Sequence, residues 1–262
     1  MRAYGFVVYG AFLGAFVYFI GWVEGLMVPR TIDEGPAGAT AWAILVDVLL
    51  LAVFAAQHSV MARPWFKRHW TRIVPPAAER STYVLLATAV LVLLMWLWRP
   101  IPDVVWETDS TAVRAVLYAM SFAGWGLALL STFAIDHADM FGLSQVQRHH
   151  TGSPPTAPVL ATPLLYRVVR HPLYLGFLVA FWVAPTMSAG RLLFAAVMTG
   201  YVLMAVQFEE RDLVGTFGEH YRAYRRQTPM LIPRRPKRIH LGLDGPHGRP
   251  RRARRPTDER AR

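Results

Sequence analysis

Six stretches of this chain are apolar and almost free of charge, and no other feature constrains the fold as tightly. A helix needs about 20 predominantly apolar residues to cross the hydrocarbon core of a bilayer. Ala3–Val23, Ser81–Trp98 and Ala115–Ile135 carry no charge, and Ala41–Met61 is interrupted only by Asp47 and His58. Pro172–Gly190 is also uncharged, with Pro185 predicted to break or kink it, and Leu192–Phe208 supplies a sixth stretch. Backbone groups in lipid must be satisfied within the protein, which leaves helices as the reading for runs of this length. The expected fold is all-α: a polytopic membrane helical bundle of about six spans over residues 1–233. The last two spans form a tight helical hairpin around Thr186–Arg191. The first span is too long for a signal-peptide core, and no small-residue cleavage site follows it.

Composition sharpens this picture. The chain is 54% hydrophobic and only 17% charged, yet its net charge is +11. The charge and the apolar residues occupy different segments. Residues 234–262 hold eleven Lys and Arg against Asp244, Asp258 and Glu259, which leaves the remainder near +3. This tail has almost no large apolar side chains after Leu243 and is predicted to be a disordered cytoplasmic extension. It could lie on anionic lipid headgroups, where each Lys or Arg is worth about 1 kcal/mol. A nucleic-acid partner is not expected. The absence of cysteine excludes a disulfide framework, a thiolate nucleophile and a Cys-ligated metal. The histidines lie at non-ligand spacings, and no metal is expected.

Loop charge orients the spans. The segment 62–80 carries Arg63, Lys67, Arg68, Arg72 and Arg80 and should be cytoplasmic, whereas 29–40 and 99–111 are acidic and should face outward. The loop 136–171 and the tail then return inside, so both termini are cytoplasmic. In this topology the ionisable groups at span ends collect on the cytoplasmic side: His58, Asp136, His137, Arg170, His171, Glu209 and Glu210. Glu24 and Asp47 lie toward the outer side. Ionisable groups at membrane depth are costly and are functional candidates by default.

Arg170-His171-Pro172-Leu173-Tyr174-Leu175-Gly176 opens the fifth span. Pro172 suits a first helical position, and a helix start offers free N–H groups to a carboxylate or phosphate. Arg170 adds a carboxylate-matching fork. Gly176 lets a ligand or a neighbouring helix approach closely. The hairpin returns Glu209 and Glu210 to the depth of Arg170, so cationic and anionic groups face each other across a space suited to an α-amino acid zwitterion. Phe217, Tyr221 and Tyr224 recur at helical spacing before Pro229–Pro233. They form either an amphipathic interfacial helix or a flat wall for a purine ring.

Together, Arg170-His171-Pro172-x-Tyr174-x-Gly176, Glu209-Glu210 and Phe217-Gly218-x-x-Tyr221-x-x-Tyr224 resemble the C-terminal cofactor signature of membrane methyltransferases. These are the isoprenylcysteine carboxyl methyltransferase and phospholipid methyltransferase superfamily. Val28–Pro36, Gln57–Arg63, Glu79–Tyr83, Trp98–Pro100, Phe141–Leu143 and Pro229–Pro233 are similar to its nurim-like branch. Within that branch the resemblance is strongest to bacterial members that methylate methanethiol to dimethyl sulfide. It spans about residues 4–233 and leaves the tail outside. Asp136 departs from the pattern, in which an asparagine precedes the histidine.

The resemblance implies a multi-pass protein of a bacterial inner membrane with S-adenosyl-L-methionine as cofactor and a small thiol, methanethiol, as substrate. Cofactor-binding groups would be Arg170, His171, Pro172, Tyr174, Gly176, Glu209, Glu210, Tyr221 and Tyr224. A base is needed to make the thiolate, and His58 and His137 are the leading candidates. Arg63, Glu79, Arg80, Asp136 and Asp139 could orient the base or close the pocket. The residues also leave open another thiol, a prenylcysteine carboxylate or an amino phospholipid as substrate, or a non-catalytic nurim-like protein.

Overall fold

A computed structural model describes residues 1–36, 38–154 and 159–233. The basic tail expected to be disordered lies outside the described residues. The elements run α1 (Arg2–Glu24), α2 (Thr40–Ala62), α3 (Pro64–Trp70), α4 (Pro76–Leu97), β1 (Val104–Glu107), α5 (Thr111–Ile135), α6 (His137–Met140) and α7 (Leu143–Thr151). There follow α8 (Leu164–Val168), α9 (Pro172–Trp182), β2 (Thr186–Ser188), α10 (Ala189–Phe217) and α11 (Glu219–Gln227).

Local sequence explains where the helices begin and end. Gly25 closes α1 at φ 71°, a left-handed position that glycine adopts without strain. Pro64, Pro76 and Pro172 stand in first turns, where their missing N–H is harmless. Ser110 and Ser188 cap α5 and α10 by accepting hydrogen bonds from Val113 N and Arg191 N.

Five helices, α1, α2, α4, α5 and α10, are long and apolar enough to cross a membrane. The bundle is the expected one, with one correction. The fifth predicted span, Pro172–Gly190, forms only the 11-residue α9, about 16 Å at helical rise. Extended backbone follows at Val183–Pro185, and Thr186–Ser188 pairs antiparallel with the unforeseen strand β1. Backbone that leaves a helix within a membrane protein needs partners. Here Thr108 N donates to Pro185 O, Ala189 N to Asp103 O and Gly190 N to Ile101 O.

Four small residues set the closest helix contact. A Cβ on Gly176 would lie 2.5 Å from Gly124 O and 2.6 Å from Ala128 N, and one on Gly124 would lie 2.7 Å from Gly176 O. Gly124 and Ala128 on α5 therefore meet Gly176 and Ala180 on α9, small residues four apart on both sides. Aromatic side chains fill the core beside this crossing: Phe19, Trp22, Trp98, Trp125, Phe181 and Phe194 are all buried.

The bundle has two polar ends. At one end, opposite the Arg170 motif, Glu24 Oε1 accepts from Ser121 Oγ and Trp125 Nε1, each at 2.7 Å, and Oε2 lies 3.6 Å from Arg191 Nη2. Asp47 accepts from Arg99 N at 2.9 Å. Glu24 and Asp47 thus share the end the sequence assigned them, as structural partners. The motif end is described next.

Candidate active site

The length of α10 positions the paired glutamates. From Ala189, about 20 residues at 1.5 Å each cover the ~30 Å hydrocarbon core, which brings the helix to Phe208. Glu209 and Glu210 follow immediately, on turns that project beyond the core.

Glu210 is buried and fully engaged. Its Oε1 lies 2.7 Å from Arg170 Nε and 3.1 Å from His171 Nε2, and its Oε2 lies 3.1 Å from Arg225 Nε on α11. Arg170 Nη1 also donates to the carbonyls of Arg225 at 3.2 Å and Thr228 at 2.5 Å. The Arg170 and His171 amides donate to Pro229 O and Met230 O. The motif, the end of α10, α11 and the Pro229–Pro233 strip are therefore clasped around one carboxylate. Glu209, with its side chain 43% exposed, faces the same space from 3.9 Å beyond His171 Nδ1.

The two tyrosines of α11 do not form one flat wall. Their rings are 5.8 Å apart and tilted by 59°. Tyr221 is buried with its hydroxyl unpartnered among the described residues, whereas Tyr224 donates to Tyr166 O at 2.5 Å. Burial pushes the phenol of Tyr221 up, and raises that of Tyr224 to about 12, so both stay neutral in use. Gly176 could admit either a ligand or a helix, and its close approach is taken by α5. Pro172 opens α9 and is buried.

A second group adjoins the first. On α9, one turn into the motif, the Tyr174 ring lies 5.8 Å from that of His171. Tyr83 Oη lies 3.0 Å from His58 Nε2, and Ser59 Oγ lies 3.4 Å from Tyr201 Oη. Tyr83 of α4 and Tyr201 of α10 thus line up beside His58 and Ser59 of α2. Arg80 stands over the Tyr83 ring at 5.7 Å, with its Nε buried and unpartnered among the described residues. Glu79 is buried in the first turn of α4, where the helix dipole favours a carboxylate. Arg63 pairs with Asp212 at 2.9 Å and lies over the Phe208 ring at 5.5 Å, tying α2 to α10.

His137 is differently placed. Both ring nitrogens are bonded, Nε2 to Tyr9 Oη at 2.8 Å and Nδ1 to Thr132 Oγ1 at 2.7 Å, and Phe133 stacks on the ring at 4.1 Å. Burial lowers its affinity for a proton, with Asp136 pulling weakly the other way. Asp136 itself caps α6 by accepting from Asp139 N at 2.8 Å, and Asp139 pairs with Arg148. These residues build the α5–α6 corner, and of the two histidines only His58 joins the tyrosine line.

Sequence reasoning assigned no role to Tyr83, Tyr201, Arg225 or Asp212. One signal was available on α10: Tyr201, Phe208 and Asp212 are seven and four residues apart, one helix face. A separate apolar groove of about 520 Å³ between α1 and α4, lined by Ala11, Tyr18, Arg30, Met95 and Trp96, contains none of this chemistry.

Fold and site together define a multi-pass helical membrane protein with a polar cluster where the motif meets the ends of α2, α4 and α10. Comparison with known proteins narrows that class. Methanethiol S-methyltransferase 1 of Bradyrhizobium diazoefficiens is 52% identical over 230 residues, covering 88% of this chain and 81% of that protein. Methanethiol S-methyltransferase of Mycobacterium tuberculosis is 52% identical over 238 residues, covering 89% and 98%. Human nurim is 32% identical over 203 residues, covering 74% of this chain and 73% of its own. The chain belongs to the methanethiol S-methyltransferase family of nurim-like membrane methyltransferases. No family model and no solved structure matches it.

Proposed function

We propose that this protein methylates methanethiol to dimethyl sulfide with S-adenosyl-L-methionine as the donor. The observation that carries the reading is the meeting of the Arg170–His171–Glu210 clasp with the His58–Tyr83 pair, α2 and α10 being tied together there by Arg63 and Asp212. A cofactor-facing carboxylate and a base are thereby joined at one end of the bundle, in a chain about half identical to methanethiol S-methyltransferases.

The donor set suits the cofactor. Glu209 is a partly open carboxylate for an α-amino group. The first turn of α9 leaves amides for a carboxylate, beside Arg170, whose Nη2 has no partner among the described residues. Tyr221 contributes a buried hydroxyl, unpartnered among the described residues, and with Tyr224 would adjoin a purine. When bound, S-adenosyl-L-methionine supplies an electrophilic methyl group on a sulfonium.

The protein's own contributions are alignment, exclusion of water and proton removal. Tyr174 offers its ring face to a cation. His58 takes the thiol proton, because the thiolate is the effective nucleophile. Arg80, over the ring of the Tyr83 that contacts His58, favours the anion that results. His171, held on Glu210, orients the clasp.

Loop charge favours cytoplasmic termini, and in this reading the reacting groups face the cytoplasm from a bacterial inner membrane. Residues 1–233 are the catalytic domain in this reading, with 234–262 an appended basic segment near anionic lipid.

Membrane fractions given methyl-labelled S-adenosyl-L-methionine and methanethiol should release labelled dimethyl sulfide into the headspace. Cofactor binding without that product would remove the substrate assignment.

A further inference from the structure

His58 carries an atom that the structure leaves without a partner. Its ring lies over Phe54, centroids 5.5 Å apart, and Tyr83 crosses it at 5.3 Å. On the Nε2 side, Tyr83 Oη is 3.0 Å from the nitrogen and 3.4 Å from the backbone carbonyl of His58 itself. On the other side, Nδ1 is buried and has no partner among the described residues.

We propose that Tyr83 is a positioning residue that holds His58 in the Nε2–H tautomer, so that Nδ1 is the atom that takes the substrate's proton. That second half rests on the reading of His58 as the base; the tautomer does not.

Two arrangements of protons satisfy the Tyr83 contact. In one, the Tyr83 hydroxyl donates to Nε2, which puts the ring proton on Nδ1 as a buried donor with nothing to receive it. In the other, the hydroxyl donates to the His58 carbonyl and accepts from Nε2–H. Both protons are then bonded, and the unpaired atom is only a lone pair. Buried N–H groups without acceptors are rarer than under-satisfied acceptors, and leaving a buried donor unmade is the costlier error. The second arrangement is therefore favoured. A neutral ring nitrogen is fixed by the bond its partner nitrogen makes. One phenol, held on a membrane helix, sets the tautomer.

In the reaction the thiol S–H bond breaks and its proton bonds to Nδ1, while sulfur keeps the electron pair. That pair forms the new S–CH3 bond as the donor's own C–S bond breaks, its electrons remaining on the donor sulfur. The imidazolium then returns its proton to solvent.

The test uses the full-length protein in detergent or nanodiscs, with histidine labelled on both ring nitrogens. Proton–nitrogen correlations across the ring distinguish the tautomers, and His58→Ala identifies the signal by its loss. The expected result for the wild-type protein is the Nε2–H pattern, a measurement that requires no variant to fold. Tyr83→Phe should lose that pattern and lower kcat on the order of tenfold or more, with binding of S-adenosyl-L-homocysteine unchanged. An Nδ1–H pattern in the wild type would overturn the proposal. So would a Tyr83→Phe protein with tautomer and kcat both unchanged. An Nε2–H pattern alongside full turnover in His58→Ala would overturn Nδ1 as the acceptor and remove the base reading, while the tautomer stood.

Discussion

Glu209 and Glu210 are adjacent and chemically identical, yet the fold gives them different work. Glu210 pairs with Arg170 and Arg225 and contacts His171 inside the protein, whereas Glu209 remains half-exposed. Glu210→Ala should therefore act on stability: removing one partner of a buried ion pair costs about 3–5 kcal/mol, visible as a lower melting temperature in detergent. Glu209→Gln should leave melting nearly unchanged and weaken S-adenosyl-L-methionine binding about tenfold, since a hydrogen bond to a charged group contributes roughly 1.5–3 kcal/mol. His58→Ala should retain cofactor binding and lose on the order of a hundredfold in turnover. The other histidine makes a prediction about pH. Burial depresses the proton affinity of His137 in the fold, so the unfolded chain takes up a proton first as pH falls below about 6.5. Its contribution to stability is complete above that value and declines as pH drops toward the lowered one. His137→Gln should flatten that part of the melting-temperature profile relative to wild type. The sequence displayed both carboxylates and both histidines; it did not show which were already engaged. That depends on Arg225, Tyr9 and Thr132, brought by other elements, and no spacing along the chain encodes them.

The helices were legible wherever apolar runs are unbroken, because lipid permits few alternatives to them. The failure at α9 has an equally physical origin. Thr186–Ser188 is apolar enough to pass for membrane helix, and only its pairing with Val104–Glu107 shows that it is extended. Hydropathy carries no record of a partner strand. Nor does it record contact, and so Gly176 resembled a ligand position until α5 was seen against it. Gly176→Val should be among the most damaging single changes outside the reaction centre. Its Cβ would fall 2.5 Å from a backbone oxygen of Gly124, which cannot rotate aside. Overpacking typically costs about 1–3 kcal/mol, and a collision with backbone should stand at the upper end. Yield of folded, monodisperse protein is the measurement. The same substitution at Gly10, where nothing lies within 4 Å of a Cβ, should be tolerated.

The whole molecule is polar at both ends and aromatic between them. Loop charge gathered His58, Arg170 and the glutamates at one end before any coordinates, and the fold brings them to one end of the bundle. The opposite end was legible only as isolated acids, because Glu24 finds its companions on α5 and α10, far along the chain. Ending the chain after Pro233 should leave methanethiol turnover unchanged in membranes, as every residue assigned a role in the reaction lies within 1–233. Glu24 has a consequence for how such a chain is made. Synthesis proceeds from the N-terminus, and the first span emerges long before Ser121 and Trp125, and longer still before Arg191. Throughout that interval its carboxyl group has none of these three neighbours. The packing around the end of the first helix is therefore completed only when the last long helix has been made. Assembly acquires a sequence in time, and the protein is complete when its most distant partners have met.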